Sequence, residues 1–365
     1  MLRWLLSLWL LCAAGPVLAK SCDWPAWESF REQITADGRV VDYSTPGHIT
    51  TSEGQSYAMF FALVADDRDS FAKLLRWTEN NLTTGGLQQE LPAWLWGRAE
   101  DGSWGIQDSN NASDSDLWIA YSLLEAGRLW NMPEYSALGE QLLWRSTAGT
   151  VRKLPGLGLM LLPADQGFES EAGWRLNPSY LPPQLLERFA GISSVWREIA
   201  DNSSHFLIDS APLGFAPDWV LWNGQEVEFS ADSEGSYDAI RVYLWLGMLA
   251  EQHPQREQLQ KHFAPMAQHF LQSGVVPEKV DVLTGELSGT GPVGFRASLL
   301  PYLTHQAEGA ELLLQQVREE LQKPLPETVY YSRVLSLFAS GWDQGHYHFD
   351  EQGLLHTARR SGTCR

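Results

Sequence analysis

Helical periodicity is the feature that most constrains this chain. Apolar residues recur at three- and four-residue intervals, which predicts about a dozen helices, over residues 52–65, 68–81, 116–130, 134–148, 183–190, 193–207, 237–250, 255–272, 294–305, 307–322 and 328–341. Evidence for strands is limited to two expected hairpins, 217–222 with 225–229 and 346–349 with 353–356. The sequence therefore predicts an all-α fold with minor β-hairpins.

The connections between these segments are rich in Gly, Pro, Asn and Asp, and none is long enough or different enough in composition to be a domain linker. An unbroken series of paired helices is more consistent with a closed ring of helical hairpins than with an open superhelix, because a superhelix needs atypical capping repeats at both ends. We therefore expect one domain over residues 20–365.

The N-terminal residues have the pattern of a secretory signal peptide. Arg3 supplies a positive charge, Trp4 to Ala14 form an apolar run too short to span a bilayer, and Val17-Leu18-Ala19 offers small residues at a cleavage site. We expect residues 1–19 to be removed at about Ala19. The mature protein would then be periplasmic or secreted, without stable membrane insertion.

Two cysteines remain near the ends of the expected mature chain, since Cys12 lies within the signal peptide. In an oxidising compartment we expect Cys22 and Cys364 to form a disulfide that closes nearly the whole chain into one loop, which the chain-entropy model values at about 4 to 5 kcal/mol. The alternative is two free thiols. No CxxC, HExxH or calcium-loop spacing is present, so the sequence predicts no metal site and no cofactor.

The net charge of the chain limits the classes of molecule that it can bind. The chain has 26 Lys+Arg against 45 Asp+Glu and a formal net charge of -19. A polyanion would be repelled, so we expect no nucleic-acid partner. The 17 Trp are more than core packing requires, because a buried indole usually needs a hydrogen-bond partner. Some of these rings are therefore expected to face a neutral or weakly charged ligand.

Three acidic clusters each stand at the start of a predicted helix, at residues 50–57, 111–116 and 235–241. The ordinary interpretation is helix capping, since Thr50-x-x-Glu53 and Ser113-x-x-Asp116 match the capping-box pattern and the helix dipole favours an acid in the first turn. If the inner helices of a ring run parallel, however, their starts gather at one end. The three clusters could then converge on one cleft.

Aromatic residues lie near these clusters in the sequence. Sugar rings present apolar C–H faces that can stack on aromatic planes, and their hydroxyl groups can bind Asp, Asn and Arg. For any single Trp, core packing is the ordinary alternative. Trp94, Trp96 and Trp219 are stronger candidates because they lie in Pro-flanked, loop-like contexts, where burial is less expected.

Four ordered motifs carry a family resemblance. Thr51-Ser52-Glu53-Gly54-Gln55-Ser56-Tyr57, the segment from Ala112 to Ala120, Asn177-Pro178-Ser179-Tyr180 and the segment from Ser236 to Arg241 together resemble glycoside hydrolase family 8. Within that family, the chain most resembles the periplasmic endoglucanases encoded alongside bacterial cellulose synthase. Ser115 departs from the family pattern, which usually has Ala or Gly there, but a small residue is retained.

The resemblance implies an (α/α)6 barrel and inverting hydrolysis of a β-1,4-glucan such as cellulose, without a cofactor. It makes Glu53 the general acid, Asp238 the general base and Asp114 a carboxylate that orients sugar and water. The expected substrate-binding residues are Trp94, Trp96, Tyr180, Tyr237, Arg241 and Asp116. The cellulose synthase export complex is a further partner to be considered.

Inversion requires a protonated carboxyl group and an ionised one, about 6.5 to 9.5 Å apart so that water fits between them. A helix N-terminus suits an ionised Asp238 but opposes a protonated Glu53. We expect desolvation under bound sugar and the charge of Asp114 to raise the pKa of Glu53. Arg241, one helical turn after Asp238, would keep the base ionised.

Two alternatives remain at this point. A relative with the same fold could act on xylan or chitosan, since contacts along the cleft decide which sugar binds. A polysaccharide-binding protein with an inactive site is the non-enzymatic alternative. The presence of Glu53, Asp114 and Asp238 argues against inactivity, because binding alone does not require this set.

Overall fold

The computed structural model describes residues 23–229, 233–305 and 309–358. In these ranges there are fourteen α-helices: α1 (Pro25–Phe30), α2 (Ser52–Val64), α3 (Arg68–Asn81), α4 (Ser113–Trp130), α5 (Pro133–Thr150), α6 (Pro183–Ala190), α7 (Ser194–Asp209), α8 (Ile240–Gly247), α9 (Arg256–His262), α10 (Ala264–Ser273), α11 (Val293–Ser298), α12 (Leu300–Thr304), α13 (Glu311–Leu321) and α14 (Tyr330–Asp343). The predicted signal peptide, Cys22 and Cys364 lie outside the described residues, so both predictions stand untested.

The same ranges contain fourteen short strands: β1 (Thr50–Thr51), β2 (Leu95–Arg98), β3 (Trp104–Asp108), β4 (Val151–Leu154), β5 (Gly158–Leu161), β6 (Glu169–Ser170), β7 (Gly173–Leu176), β8 (Val220–Trp222), β9 (Val227–Glu228), β10 (Glu234–Gly235), β11 (Lys279–Asp281), β12 (Leu287–Ser288), β13 (Tyr347–Phe349) and β14 (Leu355–Thr357). They form small antiparallel sheets in the order β1-β2-β3, β4-β5, β6-β7-β8-β9, β10-β11-β12 and β13-β14. The predicted hairpins β8-β9 and β13-β14 are confirmed.

The helices form a closed double ring. Neighbouring contacts run from α2 to α4, α6, α8, the pair α11 and α12, α14 and back to α2, which makes six inner positions. The outer layer consists of α3 on α2, α5 on α4, α7 on α6, α9 on α8, α13 on α11 and α12, and α1 on α14. The N-terminal helix therefore completes the last pair, and the expected (α/α)6 barrel is confirmed.

Inner and outer helices differ in their sequence patterns. Helix α2 is apolar or small almost all round and is buried along nearly its whole length, as expected for a helix enclosed by others. Helix α3 is amphipathic: its buried face includes Phe71, Leu74 and Trp77, while its charged residues face outward. This difference places α2 in the inner ring and α3 outside it.

Aromatic rings from several inner helices meet in the core of the barrel. Trp118 lies 5.0 Å from Phe60 and 5.3 Å from Trp245, measured between ring centroids, and Phe61 lies 4.6 Å from Phe338. All five rings are almost completely buried. Part of the high Trp content is therefore explained by core packing.

The predicted helix boundaries were wrong in several places. The segment 255–272 forms two helices, and so does 294–305; the second helix of each pair has Pro265 or Pro301 in its first turn. Proline is tolerated there because the N–H group that it lacks would have no partner within the helix. The segment 237–250 becomes helical only at Ile240. None of the helices in the described ranges meets the length and apolarity needed to cross a membrane.

Candidate active site

The starts of the inner helices gather at one end of the barrel. Glu53 and Asp114 are the second residues of α2 and α4, Asp238 lies two residues before α8, and Ser179 lies just before α6. All four side chains contact the guanidinium of Arg241, which lies in the first turn of α8. Ring closure thus brings together residues that are far apart in the sequence.

Arg241 contacts three carboxyl groups at once. Its Nη1 donates to Glu53 Oε2 and, over 3.3 Å, to Asp114 Oδ2, while its Nη2 donates to Asp238 Oδ1 over 2.7 Å. Two hydrogen bonds and the width of one guanidinium can separate the Glu53 and Asp238 oxygens by about 8 Å at most. One sugar linkage and one water molecule require a gap of this order.

Two neutral hydroxyl acceptors complete the surroundings of this cation. Arg241 Nη1 also donates to Tyr57 Oη over 3.2 Å, and Nη2 donates to Ser179 Oγ over 3.0 Å. Ser179 in turn donates to the side chain of Asn177, which caps the short helix before α6. The motif from Asn177 to Tyr180 therefore holds the guanidinium from one side.

Burial divides the cluster into a floor and two exposed groups. The side chains of Arg241 and Asp114 are 2% and 3% exposed, whereas those of Glu53 and Asp238 are 26% and 31% exposed. Contrary to the expectation that Arg241 binds sugar, it lies beneath the cleft and binds the carboxyl groups. Glu53 and Asp238 are the most exposed carboxyl groups of the cluster.

Burial raises the pKa of Glu53 to about 7. Arg241 opposes this shift, while the negative charges of Asp114 and Asp238 add to it. Burial also raises the pKa of Asp114, against the effects of Arg241 and of the Ser115 N–H. The shift at Glu53 has the expected direction, but the protein itself desolvates the group without bound sugar. Glu53 can therefore hold a proton near neutral pH.

Helix capping does not account for these acids. The cap of α2 is Thr51, whose Oγ1 accepts the Gly54 N–H over 3.1 Å, while Thr50 donates to the Val40 carbonyl. Helix α4 starts after Ala112, without a side-chain cap. The two predicted capping boxes are therefore wrong, and Glu53 and Asp114 face the cluster around Arg241.

Asp116 does not line the cleft. Its side chain is fully buried, and its Oδ2 accepts a hydrogen bond of 2.6 Å from Asn111 Nδ2. Burial raises its pKa well above the usual range, and the charge of Asp114 adds to that shift. The expectation that Asp116 contacts substrate is corrected: it lies beneath the start of α4, where it anchors Asn111.

An aromatic surface extends from the Glu53 side of the site. Strand β1, just before Glu53, pairs with β2, so Trp94 and Trp96 lie beside the start of α2. Trp96 stacks on Trp104 with 5.2 Å between ring centroids, and the Arg39 guanidinium lies 4.5 Å from the first ring and 4.8 Å from the second. We call Arg39, Trp96 and Trp104 the tryptophan stack. Trp104 is 48% exposed, so its ring remains available to a ligand.

A second aromatic group lies next to Arg241. The Tyr180 ring is 5.5 Å from the Arg241 guanidinium and 6.0 Å from the Trp219 ring. Trp219 also stacks on Phe168 and lies under the guanidinium of Arg175, 4.2 Å away. A cavity of about 670 Å³ adjoins Trp219 and Arg175. The carboxyl cluster is thus adjoined by two separate groups of aromatic rings.

Tyr237, next to Asp238, is half-exposed. Its ring packs edge-on against Phe295, and its hydroxyl donates to Glu278 Oε1 over 3.2 Å. Its backbone carbonyl accepts a hydrogen bond of 2.7 Å from Tyr331 at the start of α14. The segment that carries Asp238 is therefore attached to the inner helix α14.

Sequence reasoning missed Asp218 and Trp104. Trp104 lies on the β2-β3 hairpin, which is not among the two hairpins predicted from the sequence although Asp101-Gly102 is a hairpin turn signal. Asp218 directly precedes Trp219, but no local pattern marks it as a site residue. Within the described residues, no group of three or more His, Cys, Asp or Glu could hold a metal ion.

Comparison with known proteins places the chain in a family. The model for glycosyl hydrolases family 8 matches residues 6–345. An endoglucanase of Salmonella typhi is 47% identical over 361 residues, which cover 97% of this chain and 96% of that protein. An endoglucanase of Escherichia coli K12 is 46% identical over 351 residues, with coverage of 95% and 94%.

A solved structure agrees with these matches. The endo-1,4-D-glucanase from Vibrio fischeri has a TM-score of 0.87 and 45% sequence identity, and the match covers 92% of this chain and 99% of that one. The family match spans most of the chain, including every residue of the carboxyl cluster. The chain therefore belongs to glycosyl hydrolase family 8 and is a glycoside hydrolase.

Proposed function

We propose that this enzyme is an endo-β-1,4-glucanase that cleaves internal bonds of cellulose with inversion at the anomeric carbon. Glu53 is the general acid that protonates the leaving oxygen, and Asp238 is the general base that activates water. Asp114 orients the sugar and the water at the point of cleavage. The observation that carries this proposal is the contact of one guanidinium, Arg241, with all three carboxyl groups.

The chemistry follows from that arrangement. A carboxyl group with a pKa of about 7, such as Glu53, is protonated often enough at neutral pH to donate a proton. Arg241 Nη2 donates a hydrogen bond of 2.7 Å to Asp238 Oδ1, which fixes the orientation of the carboxyl group that acts as the base. The limit of about 8 Å between the two groups is compatible with inverting enzymes, whose carboxyl groups are about 6.5 to 9.5 Å apart.

The aromatic surfaces support a β-linked glucan as the substrate. The tryptophan stack lies next to the strand that leads to Glu53, and the Tyr180 ring lies beside Arg241, so a chain bound at the cluster can contact both groups of rings. The relatives named endoglucanase favour a glucan over the xylan and chitosan alternatives.

Three polymers test the substrate. We expect purified enzyme to release new reducing ends from carboxymethyl cellulose and to lower its viscosity early, because internal cleavage shortens chains before much sugar is released. Xylan and chitosan should yield far fewer ends. Faster cleavage of either polymer would replace the glucanase proposal with that alternative, and no cleavage of any of the three would contradict it.

Stereochemistry tests inversion separately. Proton NMR of a short cellooligosaccharide digest should show the α-anomer of the new reducing end first, followed by mutarotation to the equilibrium mixture. A β-anomer as the first product would contradict the roles given to Glu53 and Asp238, because it requires a covalent intermediate and a narrower carboxyl gap of about 5 to 5.5 Å.

We propose that the enzyme acts after export, in the periplasm or outside the cell, as the sequence of residues 1–19 indicates. Fractionation of cells and N-terminal sequencing of the mature protein test this, with a new N-terminus expected at about Lys20. A function in cellulose synthesis, with the synthase export complex as partner, rests on the family resemblance alone. Co-purification with that complex tests it.

The Cys22–Cys364 disulfide also remains a proposal, and two contacts made by His346 support it. The Trp24 ring stacks on the His346 ring with 5.0 Å between centroids, and the Ala358 N–H donates to the His346 carbonyl over 2.9 Å. Residues close to both ends of the described chain therefore contact His346. A mature mass lower by two hydrogens than that of the reduced protein would support the bond, and two alkylatable thiols would contradict it.

A further inference from the structure

The segment that carries Asp238 is held by a carboxyl group that the proposed mechanism does not use. Asp218 Oδ1 accepts three backbone N–H groups: from Ser236 over 2.8 Å, from Asp238 over 3.1 Å and from Ala239 over 2.7 Å. These residues connect β10 with α8. A single oxygen atom therefore sets the path of the backbone on both sides of Asp238.

The attachment is reciprocal. The Asp218 N–H donates to the Glu234 carbonyl over 2.8 Å, so the two segments are joined in both directions. They also approach closely at Gly235, where a Cβ atom would lie only 2.0 Å from the Ala216 carbonyl oxygen. The Asp238 segment is thus pressed against the chain that leads to Asp218.

Other contacts on this segment do not replace Asp218. Tyr331 Oη donates to the Tyr237 carbonyl over 2.7 Å, and Ser236 Oγ donates to the Glu278 carbonyl over 2.7 Å. Neither of these bonds satisfies the N–H groups of residues 236, 238 and 239. Helix α8 has no side-chain cap of its own, so Asp218 supplies an acceptor for the N–H groups that precede the helix.

The Asp218 carboxyl group is buried close to Asp238, where it can accept hydrogen bonds from the backbone. Burial raises its pKa to about 6, and the charge of Asp238 adds to this shift, while the three N–H groups oppose it. The Asp218 side chain also borders the cavity of about 670 Å³ next to Trp219. It is therefore close to Asp238 but does not appear among the groups that contact Arg241 in the described residues.

We propose that Asp218 is a positioning residue for the hydrolysis reaction: its Oδ1 atom fixes the backbone of residues 236–239, so that the Asp238 carboxyl group stands opposite Glu53. This inference rests on the proposed function, since it gives Asp238 the role of base. The acceptor atom and its location matter more than the charge. A base displaced by about 1 Å can lose about 10²-fold in rate.

Two conservative variants of Asp218 distinguish the effect of the position of its acceptor oxygen from the effect of its charge. Asp218→Asn keeps an Oδ1 acceptor in place and removes the charge, whereas Asp218→Glu keeps the charge and moves the acceptor by one methylene group. We expect kcat on carboxymethyl cellulose to decrease in the order wild type, Asp218→Asn, Asp218→Glu, with a loss on the order of 10²-fold for the glutamate variant. KM should change little, because the aromatic surfaces remain.

Asp350→Glu is the matched control. Asp350 Oδ1 also accepts two backbone N–H groups, from Gln352 and Leu354, but it lies in the β13-β14 hairpin. The kcat of Asp350→Glu should equal that of the wild type. Thermal unfolding of each variant gives the folded fraction by which kcat is corrected.

The outcomes are distinguishable. An inactive wild-type enzyme would contradict the proposed function itself. If the wild type is active, two results would overturn the positioning role of Asp218 and leave the glucanase proposal intact. The first is a kcat of Asp218→Glu equal to that of the wild type. The second is a kcat of Asp218→Asn lower than that of Asp218→Glu. A rise in KM with unchanged kcat would also overturn it.

Discussion

The guanidinium of Arg241 contacts the carboxyl group of Glu53 across 188 residues of sequence and contacts Asp238 only three residues away. The cation therefore lies between the two groups to which we assign opposite protonation states. Because its side chain is only 2% exposed, the positive charge of Arg241 is balanced by these carboxyl groups rather than by solvent.

Two substitutions of Arg241 distinguish the effect of its charge from the effect of its planar, forked guanidinium. Arg241→Met leaves three carboxyl groups without their cationic partner, and we expect a loss of about 3 to 5 kcal/mol in the free energy of unfolding at neutral pH. Arg241→Lys keeps the charge, but a single ammonium lacks the planar fork that reaches Glu53 and Asp238 together. We expect the lysine variant to retain more stability than the methionine variant and to lose kcat. Urea unfolding and reducing-end assays measure both effects. A methionine variant as stable as the wild type would contradict this.

The pH dependence of stability tests the raised pKa of Glu53. The group has a pKa of about 7 in the folded chain against 4.5 for an unperturbed glutamate. Between these pH values the folded state binds more protons at Glu53 than the unfolded state does. The stabilising contribution of this group to the free energy of unfolding is therefore complete below about pH 4.5 and is lost as pH rises through about 7. Glu53→Gln removes this dependence.

We therefore expect Glu53→Gln to be more stable than the wild type at pH 8 and the difference to shrink towards pH 4.5. Urea unfolding at pH 4.5, 6 and 8 measures it. Glu351→Gln, an exposed site on the distant C-terminal hairpin, is the control. A difference that is the same at all three pH values would show that Glu53 does not titrate in this window.

Gly54 tests how the position of Glu53 is fixed. A Cβ atom at Gly54 would lie 2.5 Å from the Tyr330 hydroxyl oxygen and 3.5 Å from Tyr330 Cζ. Gly54→Ala should therefore destabilise the fold by about 1 to 3 kcal/mol, the usual cost of overpacking, and lower kcat. Because only the hydroxyl clashes, Tyr330→Phe should restore most of both losses in the double variant. Additive effects in this double-mutant cycle would contradict the contact.

The tryptophan stack predicts a binding effect. Trp104→Ala should raise KM for a cellooligosaccharide by up to about tenfold, because a ring stack contributes about 0.5 to 1.5 kcal/mol. Trp144→Ala is a closely matched control: Trp144 is 47% exposed against 48% for Trp104, but it lies on the outer helix α5. Equal KM values for the two variants would remove Trp104 from the substrate surface.

The sequence predicted the helices well because apolar periodicity is a local property. It predicted the inner helix that begins at Ser52 and placed Glu53, Asp114 and Asp238 at helix starts. The short strands were mostly missed, since two to five residues give too few repeats to establish a period of two. Thus the hairpin with Trp104 was not predicted.

The contacts within the site depended on ring closure. Arg241 was expected to support Asp238 because one helical turn separates them, but its contact with Glu53 exists only after the ring closes and brings the starts of α2 and α8 to the same end of the barrel. Asp218 was missed for the same reason: its backbone partners lie 18 to 21 residues later, and no local pattern joins them. Asp116 was misassigned because sequence spacing does not reveal which side of a helix start is buried.

Leaving-group dependence tests the assignment of acid and base most directly. The rates of wild type, Glu53→Gln and Asp238→Asn are compared on carboxymethyl cellulose and on 2,4-dinitrophenyl β-cellotrioside, whose leaving group departs without a proton. Glu53→Gln should lose about 10²- to 10⁴-fold on the polymer but far less on the activated substrate, whereas Asp238→Asn should lose heavily on both. Equal losses of Glu53→Gln on both substrates, or an Asp238→Asn variant as fast as the wild type, would contradict the central claim.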